Sequence, residues 1–296
     1  MCPIPAAIVR RLPSIAAAAL LLVSWSGASI VAQGLSIETR SRSLRPGEAV
    51  LVTISAPAGT TAITIDAFGS RWPASRVDDT SWRALIGIDL ERHPGTYPLI
   101  AESAGNQVLR AARDLTVVRR QFRERVLKVA PDYVNPPPDL LARIRSEAEF
   151  MATVYEHSAS EPAWQGGLRR PVADVANSSF GTRSVFNGEP RSPHAGTDFL
   201  SPAGTPIQAP AGGRVVAARE LFFTGNTIVI DHGLGVFSML AHLSRIDVRE
   251  GDAVKAGDIV GLVGATGRVT GPHLHWAMRV GKARVDPLSA LALLSN

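Results

Sequence analysis

The sequence predicts a mainly β protein: an N-terminal β-sandwich-like domain, a short helical connector and a C-terminal antiparallel β-sheet domain. Three observations carry this. Apolar, β-prone runs separated by Gly, Pro and Asn turn signals recur in both halves of the chain. The 26 glycines and 21 prolines make up roughly one residue in six of the 296, above the usual share of about 12%. Between the halves, a Pro-Pro-Pro run precedes apolar residues at three- and four-residue steps. A content of 45% hydrophobic and 19% charged residues excludes a wholly disordered chain, a coiled coil and a polytopic membrane protein.

Residues 1–32 read as a targeting segment rather than part of the fold. Arg10 and Arg11 form a basic start, Ile15 to Val23 an apolar centre, and small residues follow through Ala32. The segment is either a cleaved signal peptide or an uncleaved N-terminal anchor, since Leu12 to Ala32 carries no charge. In both cases the body of the chain is expected to be exported, to the periplasm or the cell wall. Losing Arg10 and Arg11 takes the formal net charge from +5 to +3, so the basic balance gives no support for a nucleic-acid partner. Cys2 is the single cysteine, which excludes a disulfide scaffold and any site needing two thiolates.

Residues 33–120 are expected to form the β-sandwich-like domain. Strands are predicted at Ala49–Ile54, Ala62–Phe68, Trp82–Ile88, Tyr97–Ala101 and Leu115–Val118, with turns at Pro46-Gly47, Pro57-Ala58-Gly59, Pro94-Gly95 and Gly105-Asn106. His93 sits in a turn and reads as a solvated residue, and no chemistry is visible here. Residues 121–168 are the connector. Pro136-Pro137-Pro138 is stiff, Asp139 stands as an N-cap candidate, and Leu140, Leu141, Ile144, Ala148, Met151 and Tyr155 mark one helical face. Arg143 and Glu147 are placed to pair along it, and His157 lies past its end as another solvated residue.

Residues 169–296 hold the chemistry. Five of the seven histidines (His194, His232, His242, His273, His275) fall within 82 residues, among short predicted strands at Ile207–Ala209, Arg214–Ala218, Thr227–Asp231, Val236–Leu240, Ile259–Val263 and His273–Arg279. In His273-Leu274-His275 the pleat points both imidazoles to one face, about 7 Å apart along the chain, an arrangement that a metal would stabilise. His194 and Asp198 would be about 13 Å apart if fully extended, and Gly196 is expected to let the chain bend and bring them together. Each motif is weak alone; with His242 at the end of another strand they become specific. There is no nucleophile elbow, no HExxH helix and no phosphate-binding loop. Glu250 to Asp258 is similar to the hairpins of lipoyl and biotinyl carriers, but a carrier has no use for the histidines.

The stretch from about Arg170 to Leu288 resembles the catalytic domain of the lysostaphin-type zinc metallopeptidases, which cleave peptides of bacterial cell walls. The residues that carry the resemblance are His194-x-x-x-Asp198, Asp231-His232-Gly233, Ala241-His242-Leu243-Ser244 and Thr270-Gly271-Pro272-His273-Leu274-His275-Trp276. Ser179-Phe180-Gly181-x-Arg183 and Val285-Asp286-Pro287 match flanking signatures. The resemblance implies one zinc per chain, held by His194, Asp198 and His275, with His242 and His273 as unmetallated catalytic histidines. Three protein ligands leave a position for water, the mark of a catalytic zinc. His232 carries no assigned role. Leu240 stands where many members have tyrosine, and the lost hydroxyl is expected to bear on a pocket wall or a substrate contact. The implied function is a zinc-dependent endopeptidase acting on peptidoglycan cross-links. The alternative is a non-catalytic member that binds and activates another wall hydrolase. Peptidoglycan peptides are the expected partners, with a membrane contact only if the N-terminal segment is retained. The 33–120 domain is expected to dock a wall component or a cell-wall protein, or to cover the cleft. On this reading, residues 169–296 alone cleave a small soluble peptide at least as fast as the longer chain.

Overall fold

Alternation of apolar and polar residues builds the N-terminal half. In β3 (Ala62–Ala67), Ile63, Ile65 and Ala67 point inward and the residues between them point out. β3 lies between β4 (Ser70–Pro73) and β7 (Gly95–Ala104), and β8 (Arg110–Val117) completes a four-stranded sheet on the far side of β7. A second four-stranded sheet runs in the order β1 (Ser36–Ser41), β2 (Ala49–Ser55), β6 (Ser81–Gly87) and β5 (Ser75–Arg76). All pairs in both are antiparallel, and Val50, Val52 and Ile54 share one core with Ile63, Ile65, Leu99 and Leu115. The structure is a computed structural model and describes residues 34–105, 108–128, 136–164, 166–177 and 179–295. The targeting segment of residues 1–32, with Cys2, lies outside the described residues, as does Asn106 of one expected turn. Among the described residues no helix is long and apolar enough to cross a membrane.

The connector contributes β9 (Glu124–Leu127), which pairs in parallel with β10 (Arg183–Phe186); β10 also pairs with β11 (Glu189–Pro190). Helix α1 (Pro138–Val154) begins on proline, with Pro137 at the cap position and no side-chain cap bond. Asp139 is therefore not the N-cap. It lies in the first turn, where its charge favours the positive helix end, while Pro138 supplies a ready helical φ. The buried side also differs from expectation: Leu141 and Ala148 are exposed. Phe150, Met151, Val154 and Tyr155 pack against Ala217, Val229 and Phe237. Glu147 turns the helix this way, accepting from Arg143 at 2.6 Å and from the Phe222 N–H at 2.7 Å.

The C-terminal half is a nine-stranded antiparallel sheet. Its main path runs β12 (Gly196–Phe199), β19 (Leu274–Val280), β16 (Val236–Ile246), β15 (Gly225–Asp231), β14 (Gly213–Leu221) and β17 (Ala253–Val254). β18 (Ile259–Val263) pairs with both β16 and β13 (Pro206–Gln208), and β20 (Ala283–Val285) flanks β19. Helix α2 (Pro287–Leu294) closes the chain, capped by the Asp286 carboxylate on the Leu288 N–H. From Gly34 onward the chain is one compact unit, its apolar core continuous from the sandwich into this sheet. Gly87 of β6 lies against Ala283 and Val285, where a Cβ would come within 2.6 Å of the Ala283 methyl. Arg284 reaches across to Asp89 and Glu91 at 2.7 Å each. Arg42 bridges buried Glu48 (2.8 Å) and buried Asp286 (2.6 Å).

Candidate metal centre

β12 and β19 set the site by register. Asp198 is directly opposite His275, so both side chains stand on one face of the sheet. His194 lies in the loop ahead of β12 and is pinned at both backbone groups: its N–H donates to Thr182 O (3.0 Å) and its carbonyl accepts from Gly181 (2.7 Å). The imidazole then folds back over the strand. His194 Nε2 lies 3.2 Å from Asp198 Oδ1 and 3.0 Å from His275 Nδ1, and His275 Nδ1 lies 2.9 Å from the same carboxylate oxygen. Gly196 serves this approach through the space it leaves rather than through a left-handed bend. A Cβ there would stand 2.5 Å from His275 Cε1.

The donor set fits a cation. His194 Nδ1 donates to the Ser179 carbonyl at 3.1 Å, which leaves Nε2 with a lone pair facing the carboxylate. Two acceptors at 3.2 Å repel, and a single proton on His275 Nδ1 cannot satisfy both contacts. One divalent transition metal among the three atoms would satisfy all of them. Burial alone would raise the Asp198 pKa, but N–H donation and positive charge from the His194 and His275 imidazoles, when those rings carry the proton, reverse this and hold the carboxyl well below the usual carboxylate range. Burial also pushes the His275 imidazole below its ordinary value.

His242 and His273 complete a cluster of four imidazoles. His273 precedes β19, in an isolated bridge with Gly264, and its Nε2 lies 3.9 Å from Asp198 Oδ1. His242 sits at φ 67°, a left-handed conformation that interrupts the alternation of β16. Its ring centroid is 4.8 Å from that of His273 and 5.8 Å from that of His275. Each ring is fixed by a carbonyl at Nδ1: Thr266 O for His242 and Gly271 O for His273, both at 2.9 Å. Both therefore keep Nε2 as the proton-accepting atom. Burial, then repulsion from His275, pushes His242 down to about 3, so it is neutral near pH 7.

His232 is not in the cluster. It is fully buried, its Nδ1–H donates to Gly212 O (2.7 Å), and Ser238 Oγ donates to its Nε2 (2.9 Å). Ser238 in turn accepts from the Trp276 indole at 3.1 Å, so His232 ties three parts of the sheet together. Leu240 is fully buried in the core opposite Trp276, which removes it as a cleft wall. His93 and His157 are exposed. Sequence reasoning missed Ser179, whose carbonyl holds His194 and whose hydroxyl accepts the Asp198 N–H at 3.2 Å. The only signal was its place in the Ser179-Phe180-Gly181 signature.

The model of peptidase family M23 matches residues 192–287. A crystal structure from Pseudomonas aeruginosa assigned to peptidase M23 is 32% identical, covers 84% of this chain and 95% of its own, and superposes with a TM-score of 0.65. The chain belongs to peptidase family M23. Within that family the M23 chain is 45% identical over 98 residues to the peptidoglycan DD-endopeptidase ShyA of Vibrio cholerae, covering 33% of this chain and 23% of that protein. It is 42% identical over 96 residues to the DD-carboxypeptidase/endopeptidase Mpg of Neisseria meningitidis, covering 32% and 22%. The aligned stretch thus spans less than a quarter of either curated relative. His194, Asp198, His242, His273 and His275 of this M23 chain all lie inside the matched span; Ser179 lies outside it.

Proposed function

We propose that this M23 chain is an exported, zinc-dependent endopeptidase that hydrolyses peptide cross-links of bacterial peptidoglycan. The single observation that carries the reading is the convergence of the His194, Asp198 and His275 donor atoms beside two further imidazoles with free Nε2 atoms. His194, Asp198 and His275 hold the zinc. When bound, it supplies Lewis acidity, polarising the scissile carbonyl and lowering the pKa of water. The remaining work falls to this chain's own side chains. His242 and His273, held by carbonyls at Nδ1, each take or give a proton at Nε2. Since both Nε2 atoms start as acceptors, one histidine draws the proton from the attacking water, and the imidazolium so formed returns that same proton to the leaving amine. The second histidine donates to the oxyanion only once it has itself taken a proton at Nε2. Asp198, held ionised, offsets the charge of the metal. The names of the relatives favour DD-type bonds as the target. The complete ligand set argues against a non-catalytic activator.

Purified full chain incubated with sacculi is expected to convert cross-linked muropeptide dimers to monomers with the gain of one water per cut, read by mass spectrometry. A chelator or His194→Ala should abolish it. Wall binding without any cut, by a zinc-loaded chain, would overturn the reading in favour of the activator.

A further inference from the structure

Both His194 and Asp198 hang on one short turn, residues 179–182. Ser179 O accepts a hydrogen bond from His194 Nδ1–H, Ser179 Oγ accepts one from the Asp198 N–H, and Gly181 and Thr182 hold the His194 backbone. That turn is shaped in its turn by the connector, far outside the span that defines the family. The Phe122 ring occupies the place where a Cβ on Gly181 would be, and it meets the Phe180 ring edge-on at 6.4 Å. The Arg120 guanidinium lies over both rings, 4.9 Å from Phe122 and 5.8 Å from Phe180, and is anchored to the sandwich by Glu48 Oε1 and Pro46 O at 3.2 Å each. Immediately after, the Arg183 N–H donates to Arg123 O (2.8 Å) and β9 pairs with β10.

We propose that Phe122 is a positioning residue for the metal centre: it clamps the Ser179–Thr182 turn and so sets where His194 and Asp198 present their donor atoms. The inference rests on the reading of His194, Asp198 and His275 as zinc ligands. It makes the connector part of the support of the site, acting through Ser179 and Gly181 rather than through any contact with substrate. Partners one step behind a ligand are worth about 10–100-fold in metal affinity, and Phe122 stands one step further back, so the low end of that range is expected.

The test is the zinc affinity of the full chain, measured by chelator competition, in the series Phe122→Leu, Phe122→Val and Phe122→Ala. Affinity is expected to fall in step with lost bulk, by about tenfold for Phe122→Ala, with Phe122→Leu close to the parent. Ile65→Val, on β3 in the sandwich core, should lower the Tm but leave zinc affinity unchanged. If the alanine variant does not fold, the valine variant is read in its place. Unchanged affinity across the series overturns the clamp, as does an equal loss in Ile65→Val. Parent protein that binds no zinc, or His194→Ala that binds it as tightly, overturns the ligand assignment and the clamp with it.

Discussion

At Gly196 a side chain would meet the His275 ring at 2.5 Å and the Trp276 carbonyl at 2.8 Å. Both belong to β19, the strand that carries a ligand, so neither can withdraw without moving the centre. Gly196→Ala is expected to preserve the fold, because its φ is not in the left-handed region, and to lower zinc affinity at least tenfold by displacing His275. Zinc per chain after gel filtration, beside far-UV circular dichroism, checks this; full occupancy would show that the ring has room to shift. The same scale shows what the sequence made legible. The ligands and the two further histidines stood out because their chemistry resides in the side chain. Their partners, the carbonyls of Ser179, Thr266 and Gly271, did not, since every residue has a carbonyl and only the fold selects which one is used.

Six of the nine strands of the C-terminal sheet were legible from β-prone runs and glycine turns, and five of the sandwich strands likewise; the two- and three-residue β17 and β20 were not. β12 was not: Gly196–Phe199 is short and follows a proline-containing loop, and it is a strand because β19 pairs with it. His232 joins several of these elements, and its chemistry gives a pH signature. Burial pushes it down to about 4, against about 6.5 in an unfolded chain. Between these values the unfolded chain binds a proton that the folded one refuses. The stability it contributes is therefore full above about pH 6.5 and is lost as the pH falls towards 4, by up to about 3 kcal/mol. His232→Gln should be less stable at pH 7, yet its urea midpoint should fall less steeply from pH 7 to 4. Parallel profiles would mean that the folded chain protonates His232 as readily as the unfolded one.

Taken as a whole, the chain packs its sandwich against the site-bearing sheet as one unit. Cutting away residues 34–128 would expose Ala283 and Val285, leave Arg284 without Asp89 and Glu91, and strip Asp286 of Arg42. This packing argues for a measurable cost to residues 169–296 when they stand alone. Thermal unfolding of that fragment is expected to be broader and at lower Tm than that of the full chain, with weaker zinc binding. A fragment that matches the full chain in both would reduce the sandwich to a docking or covering unit.

By itself the sequence determined the mainly β character, the concentration of histidines in the C-terminal half, and the identity of the family. Each of these depends on local pattern or on residue type at fixed spacing, which the chain carries wherever it lies in space. Only the tertiary structure decided that the donor atoms of His194, Asp198 and His275 come within about 3 Å of one another, that His232 stands apart from them, and that the connector backs the site. Those facts depend on which strand pairs with which, and on the glycines that allow the close approach. They join residues up to about eighty positions apart, a separation over which local pattern says nothing.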